Sequence, residues 1–202
     1  MNGNPKSVRK EVGKLKKTDL RVIKTKETLH EALIHLLNGK PLTDISVTEM
    51  CREARVNRGT FYLHYGKVED LFEEYFKEIM TDLTDSYMEP YRHVHILKTQ
   101  QLDPSTIRIF HHIEKYKKFY RIVFSKSVPM SYYYLLFEQV NNLLNEDIRK
   151  YDLSSIDRDM MSAYQANAIL GMAIEWHRKD FQQPATEMNA LLVSILNYHL
   201  QQ

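Results

Sequence analysis

"SVTEMCREARVNRGTFYLHYGKVEDLF", Ser46 to Phe72, opens as an amphipathic helix, breaks at "RVNRG", resumes with Phe61, Tyr62 and Tyr65 close together, and breaks again at Gly66. Ser46 and Glu49 form the S-x-x-E pattern in which each residue satisfies an orphan donor of the other, so a short helix starts there and ends near Ala54. Asn57 is a strong N-cap for a second short helix, Arg58 to about Tyr65. Val47, Met50 and Ala54 can pack inward from the first of these helices. Val56 fills the corner, and Phe61 anchors the second helix to the first and to a leucine-rich face within residues 29–37. Two short helices joined by so tight a turn make a helix-turn-helix. The second can be short because its task is to project its leading end into a major groove.

That geometry names the contacts. Arg58, Gly59 and Thr60 occupy the first turn, where side chains meet base edges. Arg58 can reach guanine O6 and N7, and Gly59 lets backbone come close to DNA. Tyr62 and His64 lie on the outward flank, suited to hydrogen-bonding phosphate, which positions a module more than it specifies sequence.

"ISVTEMCREARVNRGTFYLHY" followed by "EDLF" resembles the N-terminal domain of the tetracycline-repressor (TetR) family of transcriptional regulators. The aromatic signature is carried by Phe61, Tyr62, His64 and Tyr65, and the resemblance spans about residues 19 to 76. It implies a three-helix DNA-binding domain and an all-helical C-terminal domain; with the basic N-terminus and the composition shift near Gly66, the all-α chain reads as a basic flexible arm (1–18), a helix-turn-helix DNA-binding domain (19–67) and a helical regulatory and dimerisation domain (68–202). With the homodimer that the resemblance implies, the reading is a repressor on double-stranded DNA with a palindromic operator, and with the family's pattern in view Thr48, Arg55, Asn57 and Lys67 join the residues expected at the duplex. Two departures stand out. Family members usually have glycine where Arg55 stands, at a turn position that wants a positive φ, and a non-glycine there costs about 1 kcal/mol. The family's phosphate-contacting lysine at the start of the fourth helix is replaced by Val68, with Lys67 one residue away as its substitute.

The rest of the 202-residue chain fits the same class. Apolar residues make up 43% and aromatic residues 11%, which suits a packed core and argues against disorder. Glycine and proline number only six each, and apolar spacing is helical almost throughout, predicting about nine helical segments. No apolar run approaches the roughly 20 residues of a membrane span. The single cysteine, Cys51, excludes an internal disulfide and fits a reducing cytoplasm; its small side chain reads as core. Net charge is +2, yet Lys6, Arg9, Lys10, Lys14, Lys16 and Lys17 crowd the N-terminus against Glu11 alone. Such a segment gains by displacing counterions from nucleic acid.

"GMAIEWHRKDFQQPATEMNALLVSIL", Gly171 to Leu196, is similar to the last two helices of a subgroup that includes dihydroxyacetone-kinase regulators. In the family these helices pair with their copies. Ala168 and Gly171 permit close approach, and Met188, Leu191, Leu192, Ile195 and Leu196 supply an apolar stripe on the last helix. Phe110, Phe119, Tyr120, Phe124, Tyr133, Phe137 and Trp176 are candidates to line an effector pocket, although ordinary packing accounts for the same aromatics. Control would come from a small-molecule effector or from a protein coregulator. The pairs His93–His95 and His111–His112 lack the i, i+4 spacing that places two imidazoles on one helix face, so no metal and no cofactor is expected. With no phosphate-cradling glycine loop and no G-x-S-x-G or C-x-x-C, an enzyme is not expected either.

Overall fold

The computed structural model describes residues 5–90, 103–150 and 157–199, with side chains placed for 20–90, 103–150 and 157–197. Among the described residues there are nine α-helices and no strand. None of these helices is long and apolar enough to cross a membrane. Two compact units divide the chain, Met1–Tyr75 and Phe76–Gln202.

The first unit holds α1 (Pro5–Leu37), α2 (Val47–Glu53), α3 (Arg58–Tyr62) and the opening turns of α4 (Val68–Met88). Leu29, Leu33 and Leu37 bury one face of α1, and Met50, Phe61, Leu71 and Phe72 close over the same core. Full burial of Phe61 alone contributes roughly 1.5–3 kcal/mol. Polar locks tie α4 to α1: Lys26 pairs with Glu74, and His30 stacks on Tyr75 with ring centroids 4.2 Å apart. Burial outweighs the nearby Glu74 charge and pushes His30 down to about pKa 4, so this histidine is neutral in the folded chain.

Two boundaries differ from the sequence expectation. The backbone is already helical from Pro5, so residues 5–18 continue α1 instead of forming a flexible arm. Lys, Arg, Glu and Leu are good helix formers, and Gly13 alone is too weak a breaker to stop them. The division between units falls inside α4, after Tyr75 and not at Lys67, because Val68, Leu71 and Phe72 are buried in the first unit's core.

The second unit contains the remainder of α4, then α5 (Ile109–Lys115), α6 (Lys117–Val123), α7 (Ser131–Ile148), α8 (Arg158–Arg178) and α9 (Ala185–His199). After Asp103 a 3-10 turn at Pro104–Thr106, capped by the Asp103 carboxylate on Ser105 N–H (2.8 Å), precedes α5. α5 and α6 part at Tyr116 (φ −108°, ψ 27°). α7 packs along α8, where buried Ala166 and Ala173 allow close approach, and α5 packs on α9. Glu114 Oε1 accepts the first amide of α9, Ala185 N–H, at 3.2 Å, and Asn189 Nδ2 donates to Ile107 O at 3.0 Å. A row of polar side chains lies in the interior of this unit. His112 Nε2 lies 3.3 Å from Asp82, and Tyr120 Oη lies 3.0 Å from His112 Nδ1. Burial drives His112 down to about pKa 4 against the pull of Asp82, so its ring is neutral in the folded chain.

Candidate nucleic-acid interface

The local chemistry of residues 46–70 explains how two helices turn within so few residues. Ser46 Oγ accepts Glu49 N–H at 3.2 Å, which opens α2. The Lys40 ammonium, 2.6 Å from Glu49, is the main cause holding that carboxyl below its ordinary range. At the other end, Val56 N–H bonds Cys51 O (3.0 Å) and Arg55 N–H bonds Arg52 O (3.2 Å), the paired bonds of a Schellman stop. That stop requires a left-handed residue, and Arg55 adopts it with φ 54°. Asn57 Oδ1 then accepts Gly59 N–H at 2.8 Å and starts α3. Phe61 N–H to Asn57 O and Tyr65 N–H to Phe61 O keep the turns hydrogen-bonded as far as Tyr65, although α3 proper ends at Tyr62. Asp70 Oδ2 accepts both Gly66 N–H (3.0 Å) and Lys67 N–H (3.1 Å), and a Cβ at Gly66 would stand 3.1 Å from that oxygen. The second break is therefore built around a cap.

Inward, Phe61 is fully buried and Tyr65 nearly so. Burial raises the Glu74 carboxyl, but the hydrogen bond from Lys26 and the nearby Tyr65 hydroxyl outweigh it and keep that carboxyl below its ordinary range. The tail of the α3 segment is thus tied to α4. Outward, Arg55, Asn57, Arg58, Gly59, Tyr62 and Lys67 are exposed, Thr48 is exposed on α2, and Thr60 and His64 are partly covered. Tyr62 is 52% exposed while its ring meets Phe61 edge-on at 5.8 Å, so it serves the surface and steadies the core side. Gly59 is not required by the fold: an added Cβ would meet only Asn57 Oδ1, at 3.4 Å. From Ala54 to Val68 the chain has two arginines, a lysine and a histidine and no carboxylate.

Residues 100–198 match the TetR_C_8 family, a transcriptional regulator C-terminal region. The uncharacterized HTH-type transcriptional regulator YxbF of Bacillus subtilis (strain 168) is 23% identical over 153 residues. The stretch 100–198, just under half of the chain, matches the C-terminal region of TetR-type transcriptional regulators. The YxbF match takes in 74% of this chain and 39% of that protein, so the chain spans about two fifths of its curated relative's length. The fold of the chain is shared with solved structures. A putative TetR-family regulator from Syntrophomonas wolfei superposes with a TM-score of 0.67 at 13% identity, covering 86% of this chain and 93% of that one. The dihydroxyacetone kinase operon activator DhaS gives 0.63 at 19% identity, with 89% and 97% covered. The fatty acid degradation regulator FadR from Bacillus halodurans gives 0.61 at 17%, with 85% and 94% covered.

The other sites expected from the sequence fall in the second unit. Phe110, Phe119, Tyr120 and Trp176 are buried and pack on one another and their neighbours, as in the Phe110–Trp176 (5.9 Å) and Phe119–Tyr120 (5.5 Å) edge contacts. Phe124, Tyr133 and Phe137 are partly exposed. An open recess of about 300 Å³ is lined instead by Ser86, Glu89, Arg108, His111, His112 and Lys115, none of them among those aromatics. On α9 the stripe read as one face is two. Met188 and Leu192 are buried within the chain, on the side that carries Ala185 and Asn189, so they are core and not surface. Leu191 (50% exposed) and Ile195 (39%) point outward, and Leu196 is partly covered. Ala168 and Gly171 are exposed on α8, and a Cβ at Gly171 would meet nothing within 4 Å. His93 and His95 lie outside the described residues. Among the described residues no group of three or more His, Cys, Asp or Glu side chains converges as metal ligands.

One exposed residue escaped the sequence reading. Leu63, immediately after α3, is 80% exposed. Its spacing of four from Gly59 was the available signal.

Proposed function

We propose that the chain is a sequence-specific DNA-binding regulator that acts as a homodimer, most simply a repressor, on a palindromic operator. The observation that carries the reading is the outward face of α3. Arg58 and Gly59 lead it, Asn57 fixes its start, cations flank it without a carboxylate, and the core side is anchored by Phe61 and Tyr65. A glycine that the fold does not need, placed where backbone must approach a partner, suits entry into a groove. Two copies would occupy successive major grooves one helical turn, about 34–36 Å, or a multiple apart.

The dimer is supported by exposed apolar and small residues along α8: Met160, Tyr164, Ala168 and Gly171 recur at four- and three-residue steps, matched by Leu191 and Ile195 on α9. Regulation would follow if an effector bound one separation of the two reading heads better than another, since equal affinity for both shifts nothing. Control by a protein coregulator is the second reading. It is favoured by the exposed Met130, Tyr134 and Leu135 on and beside α7. Because DhaS is named an operon activator, the sign of regulation is read from a reporter fused to the selected operator, which should rise when the gene is deleted.

The site assignment is tested with Arg58→Ala and Tyr62→Ala. Both should lose specific binding in electrophoretic shift assays while remaining folded dimers by sedimentation. Unchanged operator affinity in both would overturn it.

A further inference from the structure

Resting on the DNA-binding reading, we propose that Leu63 reads the 5-methyl group of a thymine and is a specificity-determining residue of this interface. Isolated exposed leucines are ordinary and need no explanation. Leu63 differs in its placement. Residues 58, 59, 62 and 63 form the exposed face of the α3 segment, while Phe61 and Tyr65 are buried and Thr60 and His64 partly covered. Leu63 therefore stands one turn behind Gly59, on the side presented to a duplex. At 80% exposure its isobutyl group has almost no contact within its own chain, whereas neighbouring Tyr62 rests on Phe61.

The surroundings select the partner. Arg55, Arg58 and Lys67 flank Leu63 with no acidic residue from 54 to 68, which suits a polyanion and not an apolar protein groove. Within a duplex, the apolar feature in the major groove is the thymine methyl, and an aliphatic side chain meets it favourably without any hydrogen bond. Arg58 would read a guanine through two hydrogen bonds, and Leu63 would add a thymine toward the other end of the same short face. The missing side chain at exposed Gly59 lets the backbone come close enough for a branched side chain of this length to touch the base.

The test removes one methyl group. Duplexes bound by the full chain are selected from a random pool, and each thymine of the selected site is replaced in turn by uracil, which pairs identically but lacks the methyl. At one thymine per half-site the wild-type protein should lose about fourfold in affinity, the equivalent of roughly 0.8 kcal/mol for one buried carbon. Leu63→Ala should bind the thymine and uracil duplexes equally. Since Leu63 is exposed, that variant keeps its fold, which circular dichroism checks. Leu63→Met, which retains an apolar tip, should restore the thymine preference. An equal uracil penalty in wild type and Leu63→Ala, or no sensitive thymine at all, overturns the assignment while leaving DNA binding intact. Failure to enrich any duplex overturns the DNA-binding reading itself.

Discussion

Gly59 and Arg55 are opposite answers to backbone demand. Gly59 sits in a helix that would be more stable with alanine, and its surroundings leave room for a Cβ. Gly59→Ala is therefore expected to stabilise the fold by about 0.5–1 kcal/mol, visible as a raised urea midpoint, and to weaken operator binding. Binding that survives undiminished would mean nothing approaches that backbone. Arg55 holds φ 54° without glycine's freedom. Arg55→Gly should gain about 1 kcal/mol by removing the left-handed strain, less the added entropy of the unfolded chain. It should also bind DNA with a shallower salt dependence if the guanidinium meets phosphate. These positions were legible in the sequence because caps and stops are local: Ser46, Asn57 and Arg55 act on amides a few residues away. Leu63 was not. An apolar residue at helical spacing reads as core until its exposure is seen.

At the scale of elements, helical periodicity revealed nearly every helix but not which of two faces an apolar helix buries. α9 shows why: Met188 and Leu192 turn inward while Leu191 and Ile195 turn out, and the letters alone merge them into one stripe. α1 shows another limit, since a run of lysines reads as a solvated arm although its residues favour helix. Deleting residues 1–17 removes six cations from the end of α1 and spares its buried leucines. The log–log salt slope of DNA binding should fall by about 0.9 for each cation that neutralises a phosphate. An unchanged slope would make this end of α1 a bystander.

The links between elements also respond to pH. His30 against Tyr75 and His112 between Asp82 and Tyr120 both sit at about pKa 4, below the ordinary 6.5, because burial disfavours the charged ring. Above pH 6.5 neither the folded nor the unfolded chain holds these protons, so the pair adds no pH dependence. As pH falls from 6.5 towards about 4, the unfolded chain binds protons first and stability declines. Urea midpoints measured across that window should drop, and His30→Phe, which can still stack on Tyr75, should flatten the first unit's share. A wild-type curve that is flat across the window would contradict the buried neutral state.

For the whole molecule, the resemblance carried by residues 46–72 and the family match over 100–198 meet in one chain. The second unit's large aromatics are committed largely to packing, and what α7 and α8 present to solvent is an interaction face only once a partner is bound. The most direct test of the central claim is selection of duplexes from a random pool by the full chain, with the symmetry of the enriched site as the readout. The account predicts an inverted repeat whose half-site centres lie one helical turn or a multiple apart, lost with Arg58→Ala. A monomer that enriches no duplex, or a single asymmetric site indifferent to Arg58, would contradict it.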